Sequence, residues 1–120
     1  MLSDSTACID FYGKKYFLID GGCFSTTGHF ISIVKFHKLG TFIGEESGGT
    51  FTCNNSSHMI PLTHTKLVVR IPNKTFPAAV TGFKKGWGIL PDHTVKPLLE
   101  DILSGEDTVL NYTLNLVKGK

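Results

Sequence analysis

Tyr16 to Phe30 reads YFLIDGGCFSTTGHF, and the order of residue types in it sets the reading of the chain around it. Tyr16-Phe17-Leu18-Ile19 is a short apolar run of aromatic and β-branched residues, the composition of a buried strand. Asp20-Gly21-Gly22 ends that strand, because paired glycines reach backbone angles that other residues resist. From Ser25 or Thr26 to about His37, the residues Phe30, Ile33, Val34 and His37 recur at helical spacing, with Phe36 widening the face. Lys35 and Lys38 fall in the last turns, where the helix dipole favours cations, and Leu39-Gly40 stops the helix. Thr41-Phe42-Ile43, cut by Gly44, is a second short strand. Strand, helix and strand within so short a span predict a right-handed βαβ unit. Its strands, at about 14–19 and 41–44, lie parallel, and the helix packs on them through Phe30, Ile33 and Val34.

Downstream, Glu45-Glu46-Ser47-Gly48-Gly49 is a loop with two carboxylates and two glycines. Ser57 to Leu62 and Lys66 to Ile71 read as a hairpin with His64-Thr65 in its turn. Residues 72–86, with Pro72, Pro77 and Gly82, read as a surface loop with one extended piece near Ala78 to Val80. A short extended element ends at Val95. Pro97 suits the first position of a helix carrying Leu98, Leu99, Ile102 and Leu103, which stops at Ser104-Gly105. A last helix from about Asp107 to Val117 puts Val109, Tyr112 and Leu116 on one stripe, with Leu110 and Leu114 beside it. Residues 1–10 are polar and irregular, as the end of something longer would be.

The 120 residues make one domain or part of one, and 41% apolar against 18% charged residues is the balance of a globular protein. A formal charge of +2 is too small to argue for nucleic acid or an anionic membrane surface. No apolar run approaches the roughly 20 residues that span a bilayer, and the first ten residues lack the features of a signal peptide. Cys8, Cys23 and Cys53 have no metal-ligand spacing and read as small apolar residues. His58 and His64 flank the hairpin with no carboxylate or cysteine at a ligand-like spacing, so no metal and no cofactor is expected.

Two readings meet at Ser25. Its hydroxyl could cap the helix, or it could be a nucleophile at a helix N-terminus, where free N–H groups favour developing negative charge. In the second reading the N–H of Thr26 faces an oxyanion, and His29, one helical turn along, is a candidate base. The serine is not in a nucleophile elbow of the α/β-hydrolase kind. That motif has glycines two residues to either side, whereas Gly22 and Gly28 stand three away. Glu45 and Glu46 are neighbours and would point apart in an extended loop.

GGCFSTTGHF, then TFIGEESGG, then GWGILPDHTVKPLLEDILSGEDTVLNYTLNLV resemble, in order, the second half of the catalytic domain of the tail-specific (C-terminal processing) serine peptidases. The match covers about residues 13–118. The resemblance implies an α/β fold with the ββα-type core of crotonases and Clp-type peptidases. It would be a partial domain with a mainly parallel sheet, a hairpin and C-terminal helices. It gives Ser25 the nucleophile's place and the Thr26 N–H one half of the oxyanion hole. It also implies a peptide or protein substrate, bound near its C-terminus, and an extracytoplasmic setting, periplasmic or lipoprotein-anchored. Family members with a lysine base carry it where this chain has Gly48-Gly49-Thr50, and Asn54 stands where they often have a glutamine. The base is therefore His29, or lies upstream of Met1, or is lost.

The leading expectation is a serine-type peptidase represented by an incomplete catalytic domain that exposes strand edges and apolar surface and self-associates. The second is an inactive binding protein on the same scaffold. An acyl-CoA enzyme of the crotonase fold is third, and the Gly-Glu-Glu-Ser-Gly-Gly and Gly-Ile-Leu-Pro-Asp blocks argue against it.

Overall fold

A computed structural model of the protein describes residues 12–119; the reading of residues 1–10 and of Cys8 lies outside them. In chain order come β1 (Tyr16–Ile19), α1 (Thr26–Phe36), β2 (Thr41–Gly44), β3 (Thr52–Pro61) and β4 (Val68–Pro77). β5 (His93–Thr94), α2 (Leu99–Ser104) and α3 (Thr108–Val117) follow. β1 and β2 run parallel with Tyr16 opposite Thr41 and Ile19 opposite Gly44, as the βαβ reading predicts. β5 adds to the other edge of β2, also parallel, giving the order β1-β2-β5. The fold is a small mixed α/β domain with a parallel sheet and helices.

Ile19, Ile31, Val34, Phe42 and Ile89 form the core, with Phe17, Cys23 and Phe83 packed against it. The face of α1 agrees with the expected one at Val34 and differs at Phe30 and Ile33. Gly28, Ile31, Ser32 and Val34 are buried, while Phe30, Ile33 and His37 are exposed. The helix lies against loop backbone as well as against side chains. A Cβ on Gly28 would stand 2.8 Å from the Thr50 carbonyl oxygen, so only the smallest residue permits the approach. Ser32 is buried because its hydroxyl donates to His29 O at 2.7 Å. Phe30 keeps an edge contact with Phe17, ring centroids 6.3 Å apart.

β3 and β4 form an antiparallel two-stranded ribbon, longer than the sequence suggests: residues 72–77 continue the strand instead of forming a loop. Each strand of such a ribbon is an edge, and edges are where prolines such as Pro72 and Pro77 are tolerated. α2 ends at Gly105 in the left-handed conformation and buries none of its residues. α3 begins at Asp107, whose side chain accepts from Leu110 N, and it touches β1 and β2 with Thr113 buried. The Cα radius of gyration is 19.1 Å, against about 13–14 Å for a compact chain of this length. β4 is exposed throughout and α2 buries nothing, which fits a chain less compact than its length allows.

Candidate functional site

The chain leaves β1 through a turn held by Asp20: its carboxylate accepts from Gly22 N at 2.8 Å, and its carbonyl accepts from Cys23 N at 3.0 Å. Two residues later Ser25 stands just before α1 with φ 55° and ψ −124°, and its side chain makes no capping hydrogen bond. Capping is therefore not what this serine does. A non-glycine residue at such angles costs on the order of 1–3 kcal/mol and persists only where its surroundings enforce it. The enforcement here is a second backbone. Gly49 N–H donates to Cys23 O at 2.9 Å. A Cβ on Gly49 would sit 2.6 Å from the Phe24 Cα, and one on Gly48 would overlap the Gly21 carbonyl oxygen.

That second backbone is itself clasped. Ser47, 4% exposed, donates its hydroxyl to Gly49 O and accepts from Ile89 N, both at 2.7 Å. Ser47 N–H also donates to Ile89 O at 3.1 Å. The Glu46 carboxylate accepts from Gly88 N at 2.8 Å. Further along, Asp92 accepts from Phe42 N at 2.8 Å and from Lys35 Nζ at 2.7 Å. Burial pushes the Asp92 carboxyl up. The bond from Lys35, the Phe42 N–H and the charges of Lys35 and His93 outweigh that push and hold it below its ordinary value. The Gly-Glu-Glu-Ser-Gly-Gly and Gly-Ile-Leu-Pro-Asp blocks thus carry positioning rather than chemistry. Neither Ser47 nor Asp92 is singled out by sequence reasoning; a small hydroxyl between acidic and glycine residues is the only signal for Ser47.

Ser25 opens on a cleft of about 370 Å³ that Gly48, Gly49, Thr50, Cys53 and Asn54 help to line. Its Oγ has no hydrogen-bond partner among the described residues. Thr26, at the first helical position, has an N–H that no intrahelical carbonyl reaches. A hydroxyl with no partner among the described residues therefore lines this opening just before the positive end of α1. Among the described residues no histidine, lysine or carboxylate lines it. Thr50 Oγ1 is engaged with Thr52 Oγ1 at 2.8 Å and with Thr52 N at 3.0 Å.

His29 does not line the cleft and makes no hydrogen bond to the Ser25 side chain; its Nε2 is buried without a hydrogen-bond partner. Glu45 and Glu46 border a separate cleft of about 440 Å³ with Gly21 and Lys96, and the Glu46 carboxylate is engaged by Gly88 N–H. His58 meets Asn73 Nδ2 at 2.8 Å. Among the described residues no group of three or more His, Cys, Asp or Glu could hold a metal ion.

No family model matches the chain, and no curated protein matches it. A solved structure of the tricorn protease is similar, with a TM-score of 0.53 and 22% identity over 88% of this chain. The match spans 10% of the tricorn protease chain. The likeness is one of fold: a mixed α/β arrangement with a parallel sheet and helices.

Proposed function

We propose that this chain carries the nucleophile of a serine-type peptidase of the tail-specific kind, on a crotonase/Clp-like scaffold. The observation that carries the reading is Ser25: strained, uncapped, and lining a cleft at the N-terminus of α1. Evolution has little reason to hold a serine at φ 55° for packing alone. In the proposed reaction Ser25 Oγ bonds to the scissile carbonyl carbon, its proton passes through a base to the leaving amine, and the C–N bond breaks. The oxyanion formed on the way is met by Thr26 N–H and the α1 dipole. Water, deprotonated by the same base, then releases the acyl group. The described lining supplies no base, so in this reading the base comes from outside the described residues.

The same bare lining favours a second reading, a scaffold that binds peptide without cutting it. Ser25→Ala in the complete protein separates the two. The first reading expects peptide turnover to fall by about 10⁴–10⁶-fold, with melting unchanged because no cap is lost. It also expects a fluorophosphonate adduct on Ser25 of the parent protein. Absence of both turnover and adduct in the complete protein establishes the second. His29→Ala should leave turnover within a few-fold; a loss of 10²–10⁴-fold, the usual worth of a positioned base, would return that role to His29.

A further inference from the structure

The ribbon and α2 are complementary in two independent ways. A two-stranded ribbon alone in water is marginally stable at best, and packing against a helix is one of the things that stabilises it. By strand alternation and register, Met59, Val68, Arg70, Lys74 and Phe76 share one face of the ribbon. Met59 is 64% and Val68 55% exposed, and every residue of β4 is exposed. That face is apolar and cationic. From Gly48 to Pro91 the sequence contains Lys66, Arg70, Lys74, Lys84 and Lys85 and no carboxylate at all.

α2 is the converse. Leu99, Ile102 and Leu103 form an apolar stripe with Leu98 at its head, all more than half exposed. Around it stand Glu100, Asp101, Glu106 and Asp107, and no lysine or arginine occurs from Pro97 to Val117. α1 touches β3, but the Met59 and Val68 face stays exposed; α2 buries none of its residues, and within one chain the two do not cover each other.

We infer that the ribbon is a docking surface for α2 of a second copy of this chain. The apolar stripe of Leu99, Ile102 and Leu103 lies over Met59, Val68 and Phe76, and Glu100 and Glu106 face Arg70 and Lys74. The apolar contact supplies affinity, and the segregated charge sets orientation and rejects the ribbon-on-ribbon and helix-on-helix alternatives, where like charges oppose. This inference is independent of catalysis at Ser25.

The test is sedimentation velocity on the full chain over a range of concentration and salt. Reversible self-association that weakens as salt rises is expected. Arg70→Glu/Lys74→Glu should weaken it by about tenfold or more, and so should Glu100→Lys/Glu106→Lys. All four residues are exposed, so the melting of each variant should match the parent. Mixing the two reversed proteins should restore association to near the parent level, because each then offers an opposite charge to the other. A chain that stays monomeric, a reversed variant that associates as well as the parent, or a mixture that does not recover would each overturn the inference. In those cases the ribbon is left for a different polypeptide.

Discussion

The packed core behind Ser25 and the outer surfaces of the ribbon and α2 treat apolar residues in opposite ways. Phe42, Ile43 and Ile89 are fully buried, and the loops around them are joined by hydrogen bonds between segments more than forty residues apart. Met59, Val68, Leu99 and Leu103, no less apolar, are mostly exposed. The packing behind the Ser25 turn is supplied by residues of this chain, whereas the ribbon and α2 present apolar surface that no described residue covers. A strained serine belongs with the first kind, since strain survives only where neighbours over-determine it.

Core truncation should break the comparison most visibly. Phe42→Ala is expected to cost about 3–5 kcal/mol of stability. Leu103→Ala, measured at a dilution where the chain is monomeric, should cost about 0.5 kcal/mol or less. Denaturant melts of the two side by side decide it; equal costs would mean that α2 is packed after all.

Glycine replacement sharpens the contrast at the level of backbone. A Cβ on Gly88 would overlap the Ser47 carbonyl oxygen, so Gly88→Ala has to open the clasp and should cost about 3 kcal/mol. Gly105, at φ 79° with nothing within 4 Å of its would-be Cβ, should lose only about 1 kcal/mol as Ala, the strain of its left-handed angle. If the order is reversed, the clasp is not what holds the Ser25 turn.

The smallest effect is electrostatic. Asp92 has its folded pKa below its unfolded value. Its ionised form therefore stabilises the fold above the unfolded carboxylate value of about 3.9. That contribution fades as pH falls through the lower folded value. Its side chain is 44% exposed, so solvent screens the pair with Lys35, and Asp92→Asn should cost only about 1 kcal/mol at neutral pH. The variant should also lose part of the parent's destabilisation by acid. A pH series of thermal melts that stays parallel for the two proteins would count against the role assigned to Asp92.

The βαβ unit, the turn before Ser25 and the helix beginning at Asp107 are legible in the sequence because each rests on local chemistry: apolar runs, paired glycines and a capping carboxylate. The buried face of α1 is not. Counting large apolar residues points to Phe30 and Ile33, while the real contact uses Gly28 and Ser32, chosen for smallness where backbone meets backbone. The ribbon's length is hidden for a related reason. Pro72 and Pro77 read as breaks unless one knows that each strand has an unpaired side. At the site, Ser25 and Thr26 stand out by their place between a glycine turn and a helix. The conformation of Ser25 comes from Gly48 and Gly49, two dozen residues later, which no local pattern reveals.

The pinning of Ser47 to Ile89 also divides the chain's tolerance for insertion and deletion. The outer ribbon, residues 57–72, lies between these two residues and beyond the part that lines the Ser25 cleft, so changes in its length reach the Ser25 turn chiefly through the entropy of closing a loop. Doubling such a loop costs only about 0.6 kcal/mol. The outer ribbon can therefore be lengthened, shortened or reshaped over evolutionary time, or exchanged by an engineer, while the Ser25 turn stays where it is. Adding or deleting one residue within Glu46-Ser47-Gly48-Gly49 would shift the pinning itself out of register.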